Sequence, residues 1–223
     1  MSDRAVKTRE RILEAARELF NEQGEKAVTT NHIAAHLGIS PGNLYYHFRN
    51  KTAIIKELLV QYSNEVQAFL TPPEPGQKAD VSAKRHYLEA ALQAMWHYRF
   101  LHRDMQRLAA EEVLRSEYEK LAGFAVQRII TIYRSLIDSG VMVIDERELE
   151  ALAYNLWLVI VSWVSFVGSG LAAGAGQFSK DTIRRAIYQA LLLDKPYVTD
   201  EARKDFEALL EEFYVPINQW FMP

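Results

Sequence analysis

The stretch "ISPGNLYYHFRNK", residues 39 to 51, places Tyr45, Tyr46, His47 and Phe48 in four consecutive positions just after a Ser-Pro-Gly turn. Successive side chains on a helix are about 100° apart, so only positions three or four apart share a face. Leu44 and Phe48 form such a pair. Tyr45 and Tyr46 then point mostly away from whatever covers that pair, with His47 on the flank. Phenol hydroxyls, an imidazole and the Asn43 amide can reach base edges, sugars and phosphate oxygens, and Lys51 adds a full charge. The bland alternative for Tyr45, Tyr46 and His47 is a partly buried aromatic cluster.

The elements that must position these groups are short. In "VTTNHIAAHLG" Thr29 or Thr30 caps a two-turn helix, Ile33, Ala34 and Leu37 face inward, and Gly38 ends it. Gly38 lets the chain turn sharply, Ser40 offers a hydroxyl beside a helix N-terminus, and Pro41 opens a second short helix at its first position. Gly42 removes a side chain where that helix would have to approach a groove closely. Two short helices joined by a glycine-containing turn form a helix-turn-helix, whose second helix can enter the DNA major groove. The predicted DNA-binding residues are Thr29, Thr30, Ser40, Pro41, Gly42, Asn43, Tyr45, Tyr46, His47 and Lys51. His32 and His36 stand four apart, a spacing compatible with a metal pair, but no third ligand is evident nearby and no metal or other cofactor is expected.

At these residues "TTNHIAAHLGISPGNLYYHFRNKTAIIKELL" resembles the DNA-binding domain of the TetR family of bacterial transcriptional regulators. Thr29, Ile33, Ala34, Gly38, Ser40, Gly42, Leu44, Tyr45, His47, Phe48 and Lys51 fall in register with its pattern, over about residues 8 to 60. The resemblance implies a homodimer, a palindromic operator, a ligand pocket in the C-terminal domain and repression relieved by an effector that the sequence does not name. Two positions depart from the pattern. Pro41 replaces a basic or small polar residue and His32 a charged one, so phosphate affinity should lean on Lys51, Arg49 and the N-terminal Arg4, Lys7 and Arg9.

The charge distribution agrees with a small, shaped DNA-facing surface. Residues 1 to 51 hold eight basic and six acidic side chains; of the totals of 26 and 29 this leaves 18 and 23, so a net +2 precedes a net -5. Cysteine is absent, which excludes disulfides and thiolate chemistry. Asp3, Glu10 and Glu14 interrupt every apolar run near the start, predicting no secretory signal and a cytoplasmic protein. No nucleophile elbow, P-loop, dinucleotide fingerprint or metalloprotease motif occurs, so an enzyme is not expected.

Helical periodicity runs through the whole chain, predicting an all-α fold: an N-terminal helix-turn-helix domain over residues 6–66 and a larger helical ligand-binding and dimerisation domain over 67–223. A first helix is expected from Val6 to Gln23 and a fourth from about Lys51 to the break "TPPEPGQ". Others follow at about 80–100, 102–111, 115–138, 145–170 and 179–193, with a last one carrying Phe206, Leu210, Phe213, Ile217 and Trp220 on one stripe. No charge occurs between Glu150 and Lys180, a length that could cross a bilayer. Asn155, Ser162, Ser165, Ser169 and Gln177 punctuate it, so a helix buried in a bundle or subunit interface is the better reading, with dimerisation through 145–170 and 179–193 and no membrane. Trp96, Phe100, Phe124, Arg128, Asn155 and Ser162 are the candidate ligand contacts, and Tyr133, Trp157, Trp163 and Phe166 could extend an apolar wall. Arg128 shares a stripe with Leu121, Phe124, Ile132 and Leu136, where a charge should be paired, exposed or facing an anion. Two rivals remain: a small-molecule carrier or enzyme on a helix-turn-helix scaffold, and a membrane-associated regulator anchored by residues 151–175.

Overall fold

Local signals in the sequence set where each helix begins and stops. In the computed structural model, which describes residues 3–74, 77–168 and 179–216, the helices are α1 (Asp3–Gln23), α2 (Thr30–Leu37), α3 (Pro41–His47), α4 (Lys51–Phe69), α5 (Val81–His97), α6 (Arg99–Leu108), α7 (Glu112–Asp138), α8 (Glu146–Gly168), α9 (Lys180–Asp194) and α10 (Asp200–Phe213). Short 3-10 turns lie at Glu25–Ala27 and Lys195–Tyr197. Among the described residues there is no strand, only an isolated antiparallel bridge between Met142 and Val198. The expected Ile217, Trp220, Ser169 and Gln177, and the Arg4 side chain, lie outside the described residues.

The chain divides into two compact units. The first comprises Met1–Asn64 and Tyr98–Glu119, the second Glu65–His97 and Lys120–Pro223. α6 and the start of α7 therefore belong with the N-terminal helices, a grouping that linear order does not announce.

In the first unit α1 buries Ile12, Leu13, Ala16, Leu19 and Phe20 at the period its sequence shows, and α4 answers with Ile54, Ile55, Leu58, Leu59 and Tyr62. Each such aliphatic side chain contributes about 1.5–3 kcal/mol on burial. Phe100 packs on Phe20 with ring centroids 5.2 Å apart. Polar groups then fix α6 against the C-terminal end of α1. Asn21 Oδ1 accepts from Phe100 N at 3.1 Å, and Arg103 Nη2 donates at 2.8 Å to the Phe20 carbonyl, which also accepts from Gly24 N at 3.1 Å.

The same interface encloses His102, which is 3% exposed, and among the described residues neither ring nitrogen has a hydrogen-bond partner. The imidazole stands edge-on to the Tyr62 ring at 5.2 Å. Burial pulls it down to about 4 from the ordinary histidine value of 6.5.

The second unit's core gathers Val126, Ile130, Leu136, Leu149, Leu152, Leu156, Ile183, Ile187, Leu191, Phe206, Leu209 and Phe213, drawn from α7, α8, α9 and α10. Inside it lies a buried polar triad. The Lys84 ammonium is 2.8 Å from Asp194 Oδ2, and the Tyr133 hydroxyl donates to Asp194 Oδ1 at 2.8 Å. Burial pushes the Asp194 carboxyl up by more than Lys84 and Tyr133 bring it down, and burial beside Asp194 drives the Tyr133 phenol well above its usual range. Tyr133, expected as a possible pocket wall, is a core residue that ties α7 to α9.

A buried neutral histidine has a measurable consequence. Below about pH 6.5 the unfolded chain takes up a proton that folded His102 accepts only near pH 4, so stability falls as pH drops through that window. His102→Leu should remove about 2 kcal/mol of the stability lost between about pH 7.5 and about pH 5, read as a smaller drop in urea midpoint than in the parent protein. Equal drops in the two proteins would rule out His102 as the source.

Candidate nucleic-acid interface

The reading unit is assembled by caps at each turn. Thr29 is the N-cap of α2: its Oγ1 accepts from His32 N at 3.2 Å, and His32 Nδ1 faces the Thr29 N–H in return at 3.5 Å. His32 thus has a local structural task as well as an exposed ring. Gly38 ends α2 at φ 64°, a left-handed conformation that a Cβ would strain. Ile39 N then donates back to Ala34 O at 3.0 Å, closing the turn. Ser40 caps α3 by accepting from Asn43 N at 3.2 Å, and Pro41 occupies the first helical position, where no N–H is needed.

α3 is held from below by Leu44 and Phe48, both buried, together with Ile33 and Ala34 of α2. The opposite face is open: Tyr45 is 49% and Tyr46 76% exposed, and Pro41, Gly42 and Asn43 are exposed beside them. A large exposed aromatic residue is the exception on a soluble surface, and two in succession mark a contact area. The Tyr45 hydroxyl is 3.0 Å from Thr30 Oγ1, so the two helices of the motif share one polar rim. His47 is half-buried and meets the Tyr46 ring edge-on at 5.1 Å.

Gly42 has an ordinary backbone conformation, and a Cβ built there would come no closer than 4.0 Å to Ser40 Oγ. Nothing inside the chain requires a glycine at this position. Its bareness matters only for something that approaches from outside.

Lys51 differs from expectation. Its ammonium is not presented outward: Nζ lies 2.7 Å from Glu25 Oε1 and donates to the carbonyls of Glu25 and Val28 at 3.0 Å each. Three donors thereby meet three oxygens. Glu25 is 3% exposed and is also paired with Arg107 of α6, while its backbone N–H donates to Asp104 Oδ2 at 3.3 Å. Burial alone would raise the Glu25 carboxyl, but the hydrogen bonds and charges of Lys51 and Arg107 outweigh it and hold the carboxyl below its usual range. Glu25 and Arg107 carry no sequence signal for this role; they stand 26 and 56 positions from Lys51.

The other expected phosphate contacts are mixed. Arg9 pairs with Glu57 at 2.8 Å and lies over the Phe48 ring at 4.9 Å, bracing α1 on α4. Arg49 and Lys7 are exposed. The outward face of α3 is therefore rich in hydroxyl and amide groups and poor in cations. No group of three or more His, Asp or Glu side chains able to hold a metal ion occurs among the described residues.

The six candidate ligand contacts do not form one site. Phe100 is fully buried against Phe20 in the first unit, so it is core rather than pocket. α7 turns Ala125, Val126, Ile130 and Tyr133 inward, which leaves Arg128 exposed with its guanidinium 5.2 Å over the half-buried Phe124 ring. Asn155 and Ser162 are exposed on α8 beside Tyr154, Leu158 and Phe166. Of the six, Trp96 lines a groove in the second unit. The α8 segment Glu146–Val167 is long and apolar enough to span a bilayer, and only 28% of its most apolar stretch is buried within this single chain.

Comparison with known proteins covers both units. Residues 12–58 match a family model described as bacterial regulatory proteins, tetR family, and residues 61–206 match one described as bacterial transcriptional repressor. The regulator UidR of Escherichia coli (strain K12) is 40% identical over 76 residues, which is 34% of this chain and 39% of UidR. The chain thus matches about two fifths of the length of that curated relative. A TetR-family transcriptional regulator structure from Marinobacter aquaeolei VT8 is 38% identical, covers 93% of this chain and 99% of its own, and superposes with a TM-score of 0.83. A regulator from Saccharomonospora viridis, solved in complex with choline, shares the fold at 21% identity, with 87% and 99% coverage and a TM-score of 0.65.

The Lys51 geometry makes a direct prediction. Lys51→Met leaves a buried carboxylate and two carbonyls short of a donor, and should lower stability by roughly 2 kcal/mol, visible as a drop in Tm. A variant as stable as the parent would show that the ammonium is not structural.

Proposed function

The chain belongs to the TetR family of bacterial transcriptional regulators, a helix-turn-helix DNA-binding protein and not an enzyme, and from that premise we propose that it is a cytoplasmic, ligand-responsive repressor that binds a palindromic operator as a homodimer. The observation that carries the reading is the outward face of α3. Tyr45, Tyr46 and Asn43 are exposed around a glycine that the fold does not need, on a helix whose other face is anchored by Leu44 and Phe48. In this reading α3 enters the major groove, Asn43 and Tyr45 meet base edges or sugars, and Thr29, Thr30, Ser40, Tyr46 and His47 bond the phosphodiester backbone. Pro41 and Gly42 permit the close approach. Lys51 acts on DNA indirectly, by fixing the turn that presents α3.

Dimerisation is proposed through α8 and α9. Tyr154, Leu158, Ser162 and Phe166 follow one another at four-residue spacing along α8, and the three large side chains are 58%, 56% and 44% exposed. Leu192 of α9 is exposed as well. A ridge of this length left wet would be unusual for a monomer, and a second copy brings an identical ridge to meet it in a four-helix bundle. Two reading heads then sit at least about one DNA turn, roughly 34 to 36 Å, apart. An effector that prefers one conformation of the C-terminal unit would shift the population away from the spacing that fits the operator, with α4 as the lever. The same face of α8 also suits a membrane anchor, but Ser162 on the ridge and the exposed Asn155 beside it make a protein surface the better partner.

Selection of bound fragments from the source genome should recover a palindrome. Tyr46→Ala should weaken binding to it by about tenfold across half-site sequences, with fold and Tm intact. No enriched sequence would sink the operator reading in favour of a carrier. Leu158→Glu should convert a dimer to a monomer by light scattering at micromolar concentration and abolish palindrome binding, and a parent protein that is itself monomeric would remove the spacing mechanism. Retention in the soluble fraction without detergent counts against the anchor.

A further inference from the structure

The second unit contains an open groove of about 450 Å3 formed by the C-terminal part of α4, the last turns of α5 and the first residue of α9. Glu65, Leu92, Gln93, Trp96, His97 and Lys180 line it. Its volume lies within the range of small-molecule sites, about 300–1,000 Å3.

The groove's charges are unevenly matched. The Glu65 carboxylate has the His97 ring beside it, with Nδ1 at 3.7 Å, a pair that is ionic only when the imidazole carries a second proton. The Lys180 ammonium meets no carboxylate among the described residues; its one contact there is with the Trp96 ring, 5.8 Å from Nζ to the centroid. At that distance a cation–π contact is close to its outer limit and worth about 0.5–1 kcal/mol, less than a charged hydrogen bond to an oxyanion at about 1.5–3 kcal/mol. Lys180 also opens the 15-residue helix α9, where the aligned peptide dipoles add positive potential. A cationic ligand would gain Glu65 but be repelled by the ammonium beside the indole, and a neutral one would leave that ammonium to solvent. An anion that also offers a flat apolar face satisfies both walls: its charge takes the ammonium and its ring takes the place on the indole, beside Leu92, that the lysine leaves.

We infer that this groove binds a small planar carboxylate, with the ring stacked on Trp96 and the carboxylate paired with Lys180. As a statement about binding it stands on the groove alone. As the identity of the effector class it rests on the regulator reading above.

Calorimetric titration with three isosteric probes, 2-naphthoate, 2-naphthamide and 2-naphthylmethylammonium, tests it on the full chain without DNA. The naphthoate should bind saturably and at least about tenfold more tightly than the amide, with the ammonium weakest. Lys180→Met, at an exposed position, should erase the preference of naphthoate over amide, and Lys180→Arg should restore it. Trp96→Leu should weaken both ligands together. No saturable binding of naphthoate, an equal affinity of the Lys180→Met variant for it, or a preference for the ammonium overturns the inference. Those results would leave operator recognition, read separately by fragment selection, untouched. Conversely, Lys180-dependent naphthoate binding by a protein that selects no operator would uphold the site and remove the regulator reading.

Discussion

The presentation of α3 depends on one ammonium group. Lys51 is the first residue of α4, where the helix dipole disfavours a cation, yet it sits there because three oxygens from the α1–α2 connection converge on it. In the 3-10 turn at Glu25–Ala27 the Glu25 carbonyl accepts from Val28 N at 3.3 Å, and Lys51 adds a second donor to it and one to the Val28 carbonyl while neutralising a carboxylate that burial would otherwise make costly. The segment between these anchors, residues 29 to 50, contains the whole helix-turn-helix. Fixing its two ends fixes the plane in which Tyr45 and Tyr46 stand.

Arg107 brings a second cation to the same carboxylate, and further polar contacts bind α6 to α1, through Phe100 and Arg103, and to the 3-10 turn that follows it, through Asp104. α6 therefore moves with the reading unit as a single piece. His102 sits inside that attachment with both ring nitrogens unanswered among the described residues, a local cost that makes the α4–α6 contact the acid-sensitive part of the unit.

The two units use buried charge differently. In the first, Glu25, Lys51 and Arg107 clamp a loop that must hold a surface in register. In the second, Lys84, Tyr133 and Asp194 join α5, α7 and α9 through an apolar core, where hydrophobic packing alone would tolerate small slips of one helix past another. Such a triad adds little net stability over apolar replacements but specifies which faces meet. This matters for α9, because its outer side carries Leu192 and its first residue, Lys180, borders the groove.

Helix limits, the helix-turn-helix and the inward faces of α1 and α4 were legible in the sequence, because caps, glycines and a 3.6-residue period act between neighbours. Thr29, Gly38, Ser40 and Pro41 carry their meaning within four residues. The outward tyrosines could be read the same way, since once Leu44 and Phe48 face the core, geometry leaves Tyr45 and Tyr46 nowhere else to point. Tertiary structure decided the charges and the pocket. Lys51 looked like a phosphate ligand until Glu25 and two carbonyls claimed it, and Phe100 looked like a pocket wall until Phe20 covered it. Arg128 fitted a buried stripe until the roll of α7 left it outside, and Trp96 found Lys180 84 positions away. Such contacts join residues far apart in the chain, and their energies depend on burial and distance, which no local periodicity encodes.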